Sequence, residues 1–229
     1  MRSDRYAARL AGFLFLFLIA TVGVSSALLG SVEGDNISET LRNVSEDEFS
    51  VRVSVVLLIV AGISTLMLAA MLYAITKHVD RNLAVLALAC RAVEAGLYAV
   101  AITSALTLLS LSEGTPTSAE LALGDFAMNL DSWETNIGAI FFAVGSTLYS
   151  SLLLRARSIP VVLAALGLVA SLILVVGVPI QTAASRDTVD GAGIVIWIPM
   201  IVFEISTGVW LAIKGARAPE RERAEQVDA

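Results

Sequence analysis

Arg91, Glu94 and Tyr98 follow one another at spacings of three and four, which on a helix brings all three to one face. They lie well inside an otherwise apolar run, Leu83 to Leu109, that is long enough to cross a bilayer. A charge at mid-bilayer costs about 2.5 to 3.5 kcal/mol on insertion scales, so this face is expected to turn towards protein or water. An arginine beside a glutamate at that depth can hold an anionic group, take up a proton or answer a charge on a neighbouring helix.

A second acid, Glu204, sits near the middle of the last apolar run, Ile194 to Ile213, with Pro199 five residues before it and Gly208 four after. At 1.5 Å per residue, Arg91 lies about 12 Å and Glu94 about 17 Å from the inner end of their run, and Glu204 about 15 Å from the outer end of its own. In a hydrocarbon core about 30 Å thick the three share one depth. One arginine with two glutamates leaves one negative charge in excess, which a single proton or a cation would balance. The trio also fits an ion pair that pins two helices, since buried pairs fix register without adding net stability. Arg91 and Glu94 could equally satisfy one another within their own helix. Pro199, lacking an amide, predicts a kink in the outer part of the last helix, and Gly208 predicts free space beside the Glu204 carboxylate.

The elements that must carry these residues are legible from composition. The 229 residues are 57% hydrophobic and 16% charged, and the apolar residues come in long blocks, the mark of a polytopic membrane protein. Six spans are expected at about 11–29, 51–74, 83–109, 137–154, 161–178 and 194–213, giving an all-α transmembrane helical bundle in one membrane domain. The first follows Arg2, Arg5 and Arg9 and resembles a signal sequence, but its length favours a retained helix. Eleven of the 15 Lys and Arg fall in segments on one side. By the positive-inside rule, both termini are cytoplasmic, the chain sits in the cell membrane, and residues 214–229 form a polar cytoplasmic tail. Spans one to three and four to six then run in opposite senses, each ending in a helix with a mid-depth acid, as an inverted repeat would give.

Both longer outer loops are acidic. In Gly30 to Ser50, Ile37, Leu41 and Val44 recur at helical spacing and suggest a short helix on the outer surface, although a solvated loop fits the same residues. Ser110 to Asn136 contains no Lys or Arg. Its apolar middle, Ala119 to Leu130, is expected to dip into the interface or cap the bundle, and Asp131 to cap the fourth span. Arg52, Asp131 and Glu134, at the outer boundary, are secondary candidates for the site. In the fourth span, Gly138, Gly145 and Tyr149 form a stripe along which another helix can approach; Ser146, Thr147, Ser150 and Ser151 read as contacts between helices.

Several phrases in order carry a resemblance. Asp35, Thr40 and Asn43 before Phe49 and Arg52, then Arg81-Asn82-Leu83-Ala84, Arg91-Ala92-Val93-Glu94-Ala95, Phe141-Phe142 with Arg155 and Pro160, and Glu204 with Trp210-Leu211 and Lys214-Gly215 resemble the prokaryotic membrane family known as domain of unknown function 4386. The resemblance implies a six-span protein of bacteria or archaea without an assigned activity. It maps the family's recurring Arg and Glu of the third span onto Arg91 and Glu94, and its last-span Glu onto Glu204. Where the family often carries histidine before span four, Trp133-Glu134-Thr135-Asn136 has none.

The single Cys90 and single His78 supply neither a disulfide framework nor a zinc or bis-His haem site, and no cofactor is expected. No nucleophile elbow or HExxH stands in the chain, and no phosphate loop or basic aromatic groove points to nucleotide or nucleic acid. The residues suit an intramembrane site that binds or moves a small solute, ion, proton or lipid head group among membrane lipids. The alternative is a structural or regulatory subunit that uses the same charges to hold helices or dock a membrane protein.

Overall fold

The computed structural model describes residues 2–184 and 191–216. The tail from 217 onward, with Arg217, Arg221 and Arg223, and the loop residue Arg186 lie outside the described residues. The chain forms α1 (Arg2–Val32), α2 (Ile37–Glu46), α3 (Glu48–Thr76), α4 (Arg81–Leu111), α5 (Ser118–Ala156), α6 (Val161–Ala183) and, after a 3-10 turn at Gly191–Trp197, α7 (Ile198–Lys214). Six of these elements are long and apolar enough to cross a membrane, so the chain is an all-α integral membrane protein.

The six long helices pack in a ring. Each of α1, α3, α4, α5 and α6 packs on the next, and α7 closes the ring against α1; among the described residues α4 and α7 make no direct contact. The two helices that carry the mid-depth charges therefore stand opposite one another. Their interior is filled by apolar residues from all six helices, with small Ala8, Ala61, Ala87, Ala143 and Ala164 at the closest crossings. Hydroxyls add specific ties. Ser25 and Ser54 exchange hydroxyl-to-carbonyl hydrogen bonds of 3.3 and 3.4 Å between α1 and α3, and the Tyr149 hydroxyl donates to the Ala69 carbonyl at 2.8 Å between α5 and α3.

One end of the ring carries Lys77, Arg81, Arg155 and Arg157 and is basic; the other is acidic. At the acidic end α2 forms as a helix. Asn36 caps it by accepting from the Glu39 amide at 3.0 Å, and Ile37, Leu41 and Val44 are buried against protein, since α2 packs on α4 and α5. The apolar stripe therefore meets other helices rather than an exposed surface.

The largest departure from the sequence expectation is α5. Its 39 residues span about 58 Å at 1.5 Å per residue, nearly twice the hydrocarbon thickness. The expected loop from Ser110 and the separate segment at Ala119 to Leu130 are the first half of this one helix. Asp131 is thus no cap; it lies in mid-helix, and Thr117 does the capping. Thr117 Oγ1 accepts from the Glu120 amide at 3.3 Å while Glu120 Oε2 accepts from the Thr117 amide at 2.7 Å, a reciprocal arrangement that satisfies two free donors. With the first turn closed there and no Pro or Gly between Phe126 and Ile137, nothing stops the helix before Asn136. Pro199 is also placed differently. It occupies the first turn of α7, where a missing amide costs nothing, and a 3-10 turn replaces the expected kink.

Candidate functional site

Arg91 reaches the ring interior from α4 because α5 offers it a glycine. A Cβ on Gly145 would meet the Arg91 Cδ and Cγ at 3.2 Å and the Cys90 Cβ at 3.3 Å. The side chain is 4% exposed. Its Nη1 pairs with Glu94 Oε2 at 2.9 Å, one turn along the same helix, and its Cζ lies 4.8 Å from the Phe142 ring centroid on α5, a cation-π distance. Phe142 in turn packs on Trp197 of the 3-10 turn, with centroids 5.7 Å apart. Arg91 Nε is buried and makes no hydrogen bond among the described residues.

Glu204 comes from the opposite side of the ring. It lines, with Arg91, a cavity of about 10 Å3 completed by Ser146, Tyr149, Ser150 and Phe203, with Phe15, Leu68, Leu72 and Leu153 around it. A space of that size takes about one water molecule. Phe203, one residue before Glu204, is buried and meets Phe15 of α1 edge-on at 6.5 Å between centroids, which fixes the height of the carboxylate. Glu94 and Glu204 lie within electrostatic range of one another and of Arg91. Depth counting along the sequence thus brought the right three residues together.

Tyr98 packs over Gly62 of α3, whose added Cβ would meet the Tyr98 Cβ at 3.6 Å. It feels the charges of Glu94, Arg91 and Glu134. Asp131 and Glu134 are partly buried on α5, towards the acidic face. Arg52 is not part of this group: it pairs with Glu48 at 2.9 Å on the exposed surface of α3. Gly208 does not open space beside Glu204 either. A Cβ there would meet Phe15 and Leu16 of α1 at 3.1 Å, and one on Gly12 would meet the Gly208 carbonyl at 2.6 Å and the Ala212 amide nitrogen. The two glycines serve the α1–α7 crossing.

Sequence reasoning passed over Gly12, Phe142 and the cavity role of Ser146 and Ser150. Gly12 carried a readable signal in Ala8 four residues before it, a small-xxx-small pair of the kind that marks helix crossings. The others depend on helix rotation, for which hydroxyl and aromatic composition gives no sign. Among the described residues no three of His, Cys, Asp and Glu gather as metal ligands would.

The model of the family described as "Domain of unknown function (DUF4386)" matches residues 10–215. No curated protein matches the chain, and no solved structure does.

Proposed function

The chain belongs to the DUF4386 family, and from that premise we propose that it is a multi-pass membrane protein whose Arg91, Glu94 and Glu204 form an intramembrane site for a proton, through which a small ion or solute is bound or moved. The observation that carries this reading is the disposition of Arg91. Its ion pair is made within α4, while Glu204 faces it across a cavity from a helix that α4 does not touch. A device for pinning helices would join α4 to α7 directly. One guanidinium against two carboxylates leaves a single negative charge in a water-poor interior, and a proton balances it without the room a head group needs. The basic face is cytoplasmic in this reading, with both termini there, in keeping with the Lys and Arg asymmetry, and lipid surrounds the ring.

Glutamine at position 204 mimics a protonated glutamate in shape and charge. Glu204→Gln in purified protein at neutral pH is expected to unfold within about 0.5 kcal/mol of the wild type, as a surface-like substitution would. A structural pair broken in the same place would cost about 3 to 5 kcal/mol. That larger loss, together with recovery of a stoichiometric membrane partner under native conditions, would instead make the chain a structural or regulatory subunit.

A further inference from the structure

The carboxylates of the site are not isolated from the acidic face. Arg91 lies opposite Gly145 and Leu97 beside Gly138, which sets α4 and α5 antiparallel in a fixed register. Gly138 stands seven residues, about 10.5 Å, towards the acidic face from Gly145, and Tyr98 stands the same seven residues beyond Arg91. Glu134 Oε1 lies 3.5 Å from where a Gly138 Cβ would be, so its carboxylate reaches down the α5 groove to the height of Tyr98, between one and two turns above Glu94. Asp131 is one turn further out. It comes level with Ser104 of α4, which is 2% exposed and whose Oγ has no hydrogen-bond partner among the described residues. Beyond it Glu33, at the end of α1, is within electrostatic range of Asp131. Two unpartnered buried polar atoms, Ser104 Oγ and Arg91 Nε, thus mark the outer and inner ends of this line.

We infer that the intramembrane site exchanges its proton with the acidic face through the groove that Gly138 opens between α4 and α5, with Glu134 as the carrier that hands the proton past Tyr98 to Glu94. This rests on the proton-site reading above. One proton leaves the Glu134 carboxyl and adds to the Glu94 carboxylate, and no other bond changes in the balance. The groups facing the route are Arg91, Glu94 and Tyr98 from α4, Asp131 and Glu134 from α5, Glu204 from α7 and Glu33 from α1. On α2, Glu39, Arg42 and Glu46 pair among themselves at the surface, and Glu48 and Arg52 do so on α3; α6 brings no charge. On the other side of Arg91 the cavity is walled by Leu68, Leu72, Leu153, Phe15 and Phe203, which cannot carry a proton.

The test is a rapid pH jump on the purified full chain, with the carboxylic-acid C=O infrared band of the buried glutamates followed in time. Glu134→Gln removes the carrier. Gly138→Leu fills the groove without changing a charge; a Cβ alone would make only ordinary contacts there, at 3.5 and 3.9 Å. Both variants are expected to keep the amplitude of the band and to slow its rise by about tenfold or more, the scale of a lost proton-transfer group. An unchanged rate in both variants overturns the route while leaving the proton site in place. A wild-type protein with no titrating band overturns the site reading and the route together.

Discussion

Arg91 and Glu204 face each other across one small cavity from helices that do not touch, while the guanidinium spends its ion pair on Glu94 of its own helix. The charge that could join the two sides of the ring is thus held on one side, with a second carboxylate within electrostatic range. An arrangement with one cation, two acids and room for about one water is suited to changing partners as a proton comes and goes.

Removing the cation should expose this dependence. Arg91→Ala leaves Glu94 and Glu204 buried without a positive partner, and a loss of about 3 to 5 kcal/mol is expected. Thermal unfolding in detergent measures it. Adding Glu94→Gln to the same chain should restore part of the loss, because one of the stranded charges is then gone. If the double variant is no more stable than the single one, Glu94 is not charged against Arg91.

Gly145 is the gap through which Arg91 enters the ring. Leucine at this position would occupy the space of the Arg91 Cγ and Cδ, already 3.2 Å from an added Cβ, and overpacking of this kind costs about 1 to 3 kcal/mol. The distinguishing result is on the site. Gly145→Leu should remove the buried carboxylic-acid infrared signal as well as lower stability, since the guanidinium is pushed away from both glutamates.

The α1–α7 crossing closes the ring and holds Phe203, and with it Glu204, in place. Gly12→Val drives a branched side chain into the backbone of Gly208 and Ala212, and a loss at the upper end of the 1 to 3 kcal/mol range, or about 3 kcal/mol, is expected. Gly23, on the same helix with open space around it, should accept alanine with little change. Equal effects at the two glycines in thermal unfolding would contradict the crossing described here.

How much of this could be read in advance follows from what each feature depends on. The six spans were legible because hydrocarbon thickness sets their length whatever the packing. The common depth of Arg91, Glu94 and Glu204 was legible for the same reason, since helix rise converts sequence distance directly into height. The continuity of α5 was not. Asp125, Asp131 and Glu134 interrupt its apolar pattern, and only the Thr117–Glu120 cap and the packing against α2 and α4 show that the helix has already begun. Rotation about each helix axis was hidden as well. It decides that Ser146 and Ser150 face the cavity and that Arg52 turns to Glu48, and neither outcome is written in residue type.

The central claim is that one proton is shared among Arg91, Glu94 and Glu204, and equilibrium infrared titration of the carboxylic-acid C=O stretch reads it most directly. The wild-type protein should show a buried band that titrates, and both Glu94→Gln and Glu204→Gln should abolish or displace it, because each removes one of the two carboxylates between which the proton is divided. No such band at any pH, or a band left unmoved by both substitutions, would contradict the account.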